Sequence, residues 1–135
     1  MNPKDLQQRT FQFALSAFDF ARPLLQSIET RHVGLQLIRA SSSVASNHRA
    51  ACVARSRKEF VSKIGTVREE ADESEFWLLF VHRAALSAEP RSRDLLQESH
   101  ELAAIFRAAY RTSLRRPFSR DDDPPDDAGQ RKRSR

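Results

Sequence analysis

Glycine is nearly absent, with three residues in 135. β-rich folds use glycine at tight turns and bulges, so its scarcity points to helices joined by few, short connections. A single cysteine, Cys52, excludes an intramolecular disulfide framework and suits a reducing compartment. No apolar run approaches the roughly 20 residues that span a bilayer. The opening MNPKDLQQRT is too polar for a secretory signal, so the expectation is a cytoplasmic chain with no membrane contact. Tyrosine and tryptophan occur once each against nine phenylalanines, which supply core volume with few polar handles. Hydrophobic residues reach only 39% and charged residues 30%, enough for one domain around one core.

Catalytic signatures are missing as well. His32, His48, His82 and His100 have no partner His or Cys at metal-ligand spacing, and neither HExxH nor CxxC occurs. Three glycines cannot build a phosphate loop. Cys52, near Arg49 and Arg55, reads as a small packed residue rather than a nucleophile. The chain is expected to be no enzyme and to use no cofactor or metal.

What is present is helical periodicity. Asn2-Pro3 supplies a cap and a first-turn proline. Behind it run two apolar rows, Phe11, Ala14, Phe18, Ala21, Leu25, Ile28 and Leu6, Phe13, Ala17, Phe20, Leu24, which make the first helix apolar over a wide arc. Pro23 should kink or end it near Arg22. A second helix is predicted from near Thr30 to about Ala51, with Val33, Leu37, Ala40, Val44, Asn47 and Ala51 facing inward. Ser41-Ser42-Ser43 is a poor helix former, although small residues there would let two axes approach. Ser56 and Glu59 form a capping box for the third helix. Phe60, Ile64, Val67, Ala71, Ser74, Leu78, Val81 and Ala85 then hold a heptad register, the period of long antiparallel helices. Pro90 precedes a fourth helix from near Ser92, carrying Leu95, Ser99, Leu102, Phe106 and Ala109. The fold expected is an all-α, antiparallel up-down four-helix bundle over residues 1–115 with a disordered charged tail over 116–135.

Charge locates the candidate sites. The net charge is +5, and residues 117–135 carry five Asp against five Arg and Lys, so the whole excess sits on the folded body. Arg49, Arg55, Arg57 and Lys58, with Lys63 further on, flank the turn between helices 2 and 3 and suit phosphates; ordinary solvated surface charge is the competing reading. Side chains flanking a turn should be dispensable for folding. Glu69, Asp72 and Glu73 share one face of helix 3, and their expected role is a salt-bridge cluster with Arg39. Phe76-Trp77-Leu78-Leu79-Phe80-Val81 is apolar on every side of its helix, more than a monomeric bundle buries. Phe76, Trp77 and Phe80 are therefore candidates for an oligomer interface, unless the wide first helix covers them.

The segment from Arg39 to Leu79 resembles the four-helix bundle proteins of the ribosomal-RNA intervening-sequence type, a bacterial family. The match lies in S-V-x-x-N at Ser43, Val44 and Asn47, and in R-x-x-C-x-A-R-S-R-K-x-F at Arg49, Cys52, Ala54 to Lys58 and Phe60. E-E-A-D-E-x-x-x-W-L follows at Glu69 to Glu73, Trp77 and Leu78. The resemblance covers about residues 9 to 113. A distant branch is the accessory variability determinant of diversity-generating retroelements, a basic pentameric barrel that binds nucleic acid and its reverse transcriptase. The resemblance thus implies a homopentamer with a binding role. Two departures stand out, Ala50 where the family commonly has an acid and His48 where it has an aromatic or aliphatic residue. The resulting expectation is a non-enzymatic homo-oligomeric scaffold that binds structured RNA or DNA through the helix 2–3 turns. The alternative is a protein-interaction module, such as an accessory subunit of a reverse transcriptase, with no direct nucleic-acid role.

Overall fold

The structure, a computed structural model, describes residues 1–125. They form four α-helices, α1 (Pro3–Ala21), α2 (Ile28–Cys52), α3 (Arg57–Arg83) and α4 (Arg91–Ser113), with 3-10 turns at Arg22–Gln26 and Arg120–Asp122. No strand occurs among the described residues. The helices run up and down in chain order: α2 packs broadly on α1 and α3, and α3 on α4, while the α1–α4 seam is sparse. Among the described residues no helix is long and apolar enough to cross a membrane.

Local chemistry sets the helix ends. Asn2 Oδ1 accepts the Asp5 N–H at 2.9 Å ahead of Pro3. At Pro23 the α-helix has already stopped, at Ala21, and the chain tightens into a 3-10 turn instead of breaking. The Thr30 hydroxyl donates to Leu24 O at 2.6 Å and Arg31 Nε–H to Leu25 O at 3.1 Å, so two carbonyls of that turn are taken by the start of α2. Ser27 caps α2 slightly ahead of the expected start near Thr30. Ser56 accepts the Glu59 N–H at 3.1 Å, but the Glu59 carboxylate reaches the Arg55 N–H at 3.2 Å rather than that of the cap itself. Ala85, predicted to end the α3 core row, instead closes the helix in the left-handed conformation at φ 53°, with its own N–H and that of Leu86 returning to His82 O and Val81 O.

Thr10, Ser41, Ser74 and Ser99 lie almost wholly buried. Each hydroxyl donates back to a carbonyl of its own helix, those of Gln7, Leu37, Glu70 and Leu96, at 3.0, 2.7, 2.8 and 2.7 Å. Buried polarity is thereby satisfied inside each helix, and small side chains let the helix axes approach. This is why Ser41-Ser42-Ser43 lies unbroken in mid-α2 despite its poor propensity.

The rows of α3 and α4 are buried nearly as predicted, from Ile64 to Val81 and from Leu95 to Phe106, with Val61 replacing the exposed Phe60 and Ala109 only half-buried. In α1 one row goes inside, joined by Ala21 from the other. Phe13, Ala17, Phe20 and Leu24 are core, whereas Phe11, Phe18 and Ile28 are exposed. In α2 the spacing that put Asn47 inside is off by one residue: Asn47 is half-buried and His48 takes the core position, edge-on to Phe106 at 5.4 Å. Burial pushes the His48 imidazole below its ordinary pKa. Its Nδ1 has no partner among the described residues, and its Nε2 lies 3.7 Å from Cys52 Sγ.

That burial has a sign in pH. The unfolded imidazole takes up a proton more readily than the buried one, so native stability falls as pH drops through about 6.5. His48→Leu should raise the melting temperature by circular dichroism, and its lead over wild type should widen from about pH 7 to about pH 5.

Candidate nucleic-acid interface

The turn at residues 53–56 brings the end of α2 beside the start of α3, and α4 ends there too. Arg57 is the junction: Nη2 donates to Ser113 O at 2.9 Å and Arg116 O at 2.7 Å, taking up carbonyls at the C-terminus of α4. Arg115 and Arg116 thereby join the basic end, which helical periodicity could not show because they come after the last apolar row. The residues singled out by sequence surround this end rather than form one compact patch. Arg49 faces the α1–α2 groove beside Gln8, Phe11 and Ala45. Arg55 is exposed, with Glu59 at 3.9 Å. Lys58 is exposed and hydrogen-bonded to Asp123 at 2.8 Å, which raises its pKa. Lys63 is half-buried a turn further along α3. Arg49, Lys63 and Arg115 have no carboxylate partner within 4.0 Å among the described residues.

The chain beyond α4 is where the expected boundary changes. The sequence ends the folded body at residue 115, yet Pro117 to Asp123 lie against Arg57 and Lys58, exposed except for Asp122. The Asp122 carboxylate, only 2% exposed, accepts from Ser119 N–H at 2.8 Å, Arg116 Nη2 at 2.9 Å and Arg57 Nη1 at 3.0 Å. The Ser119 amide, then the two guanidiniums, hold its pKa down to about 2. The Arg57 guanidinium also lies over the Phe118 ring, 4.5 Å from its centre. The remainder of the expected disordered tail, 126–135, lies outside the described residues.

The acidic face of α3 is shared out among its neighbours. Arg39 bridges to Glu73 at 2.5 Å and to Glu70 at 3.2 Å, which lowers the Glu73 pKa. Glu69 and Asp72, grouped with Arg39 by sequence, sit instead beside Arg68 at 3.7 Å and Arg107 at 3.8 Å. Glu69 and Asp72 flank Glu70 and Glu73 around the helix, so only the latter pair turns toward α2. A single Glu-x-x-His spacing does occur, Glu29 to His32, where di-metal bundles take one from each of two helices. No group of three or more His, Cys, Asp or Glu that could hold a metal forms among the described residues.

Two apolar faces remain open. Phe76 and Phe80 are 54% and 43% exposed, while Trp77 is half-buried, edge-on to His32 at 5.6 Å. The wide first helix does not cover this face. Its spare row is itself exposed, with Phe11, Leu15 and Phe18 lining a groove with Ala14, Ala45 and Ser46 between α1 and α2. Two full apolar rows on one helix are the signal for it, since a bundle buries one stripe.

Comparison with known proteins gives a family and a fold. The family model of the 23S rRNA-intervening sequence protein matches residues 4–108. A solved structure from Bacteroides thetaiotaomicron, described as a protein with unknown function from the S23 ribosomal protein family, superposes with a TM-score of 0.73. It is 22% identical and covers 82% of this chain and 99% of its own, a likeness of fold. No curated protein matches the chain.

The geometry separates the basic residues into two kinds. Arg57 is only 17% exposed and ties α3, α4 and the segment after it together. These contacts give it a structural part that its place beside a turn does not suggest. Arg57→Ala should cost roughly 1.5–3 kcal/mol in chemical denaturation, the range for hydrogen bonds of charged groups. Arg55→Ala should cost less than about 0.5 kcal/mol.

Proposed function

The chain belongs to the 23S rRNA-intervening sequence protein family, and from that membership we propose that it is a cytoplasmic, non-enzymatic, homo-oligomeric scaffold binding structured RNA or DNA through the basic end of its bundle. The observation that carries this reading is that separate segments bring exposed cations around that end: Arg55 and Lys58 from the turn and α3, Arg115 after α4, and Arg49 of α2 in the adjoining α1–α2 groove. A mobile cation on an exposed stem suits a phosphate, and several of them at fixed spacing suit a phosphate backbone read without sequence preference.

Assembly multiplies those contacts. The exposed phenylalanines of α1 and those of α3 lie on different sides of the bundle, so a contact of one face with the other is head-to-tail and generates a ring if its rotation closes. The family resemblance favours five copies. Phe76 and Phe80 supply the exposed side of this interface; Trp77 supports them from beneath.

The second reading, a protein-interaction module such as an accessory subunit of a reverse transcriptase, is favoured by the same open apolar faces. Salt separates the two. Phosphate binding weakens steeply as salt rises, with a slope near −0.9 per phosphate neutralised on duplex DNA, whereas an apolar interface is far less sensitive. By fluorescence anisotropy the full chain should bind a short duplex RNA at low salt. Arg55→Glu with Arg115→Glu should weaken binding more than about tenfold, and light scattering should show a mass several times 15.5 kDa. Failure of the wild-type protein to bind at low salt would transfer the case to the protein-interaction reading.

A further inference from the structure

The segment after α4 lies directly on the basic end. Asp122 draws on Arg57, Arg116 and the Ser119 N–H, while Asp123 takes Lys58 at 2.8 Å. Two guanidiniums, an ammonium and a backbone amide are the donors that proteins aim at phosphate oxygens. Here they converge on carboxylates of the same chain.

We infer that the Asp121–Asp123 segment is an intramolecular stand-in for nucleic-acid phosphate, occupying Arg57, Lys58 and Arg116 until a polyanion displaces it. The inference rests on the nucleic-acid reading of the basic end. The contact is built to be exchangeable. None of the residues forming the apolar core comes from the segment. Its one large apolar side chain, Phe118, is 45% exposed and lies under Arg57 rather than in the bundle. What holds the segment is therefore charge and hydrogen bonding, which phosphate can replace in kind. Lifting it releases Lys58, Arg116 and the Nη1 edge of Arg57. The Nη2 edge of Arg57 stays on the Ser113 and Arg116 carbonyls, so α4 remains closed. Asp122 is ionised far below neutral pH, so a competing polyanion, and not mild acid, is what relieves the contact.

Adjacent aspartates give a matched test. Asp121, Asp122 and Asp123 each lose one negative charge on conversion to Asn, but among the described residues only Asp122 and Asp123 hold a basic side chain. Binding of a short duplex RNA to the full chain is measured by fluorescence anisotropy across a salt series, with circular dichroism melts as a check on folding. Asp122→Asn should bind about tenfold more tightly than wild type, with a salt slope steeper by about two phosphate contacts. Asp123→Asn should gain about threefold, and Asp121→Asn should stay near wild type. If Asp122→Asn melts early, Asp123→Asn carries the test, because the buried Asp122 pairs remain in place. Equal gains from all three variants would reduce the effect to net charge and overturn the inference. Wild-type affinity in Asp122→Asn and Asp123→Asn would overturn it while leaving the basic end as the binding surface. No binding by any of the four proteins would overturn both this inference and the reading beneath it.

Discussion

A helix in a four-helix bundle can show the others only one stripe of its surface, and this chain carries more apolar surface than four stripes can hide. That limit sorts the large apolar side chains between core and surface. In α1 it admits the row of Phe13, Ala17, Phe20 and Leu24 and leaves Phe11, Leu15 and Phe18 outside. In α3 it admits Leu78 and Val81 and leaves Phe76, Leu79 and Phe80. The buried stripe is narrow because Thr10, Ser41, Ser74 and Ser99 keep it so, each hydroxyl closed on its own helix. The excess apolar surface falls on two faces that another copy can cover.

Where the interior stops, charge completes the structure. The α1–α4 seam, the sparsest of the bundle, is bridged by Arg9 to Glu98 at 2.5 Å and Glu101 at 3.2 Å, and by Arg91 to Asp19 at 2.6 Å. Pairs this open to solvent, half-buried at Arg9–Glu98 and exposed at Arg91–Asp19, contribute little stability, but they set the register of two helices that share few apolar contacts. The Arg57–Asp122 pair differs in kind. Its members are 17% and 3% exposed, and the guanidinium also serves the end of α4. It is the one ion pair among the described residues whose loss reaches three elements of the structure.

Periodicity made the bundle legible from sequence, because caps, prolines and 3.5-residue spacing are local signals. Ser56, Pro23 and the row from Ile64 to Val81 are examples. Choices between neighbouring rows were not legible. Asn47 and His48 differ by one position in a helix whose both sides are small and polar, and only the approach of Phe106 from α4 favours the ring that can pack edge-on against it. The site was legible to the same depth. Arg49, Arg55, Arg57 and Lys58 stand out by composition, yet their division between exposed and structural roles depends on where α4 ends against α3. No spacing within a helix encodes that meeting. The contacts of residues 117–123 were hidden for the same reason: apart from Phe118 the run has nothing large and apolar to bury, and it is held by cations such as Arg57, 60 residues away in sequence.

On the proposed reading, this division shapes what kind of ligand the basic end accepts. An aspartate tethered a few residues beyond α4 meets Arg57 and Arg116 at the effective concentration of a short linker, of the order of millimolar or above. A free phosphate ion at lower concentration cannot compete with it. A nucleic acid can, because its phosphates are themselves linked, and displacing one segment brings the next phosphate to a neighbouring cation. In a ring of subunits the advantage grows with each site engaged, whereas the opposing tether is fixed for each subunit. On the proposed reading, the acidic segment thus raises the threshold for binding rather than abolishing it. Extended polyanions that span several subunits pass that threshold, and small anions and isolated single contacts do not.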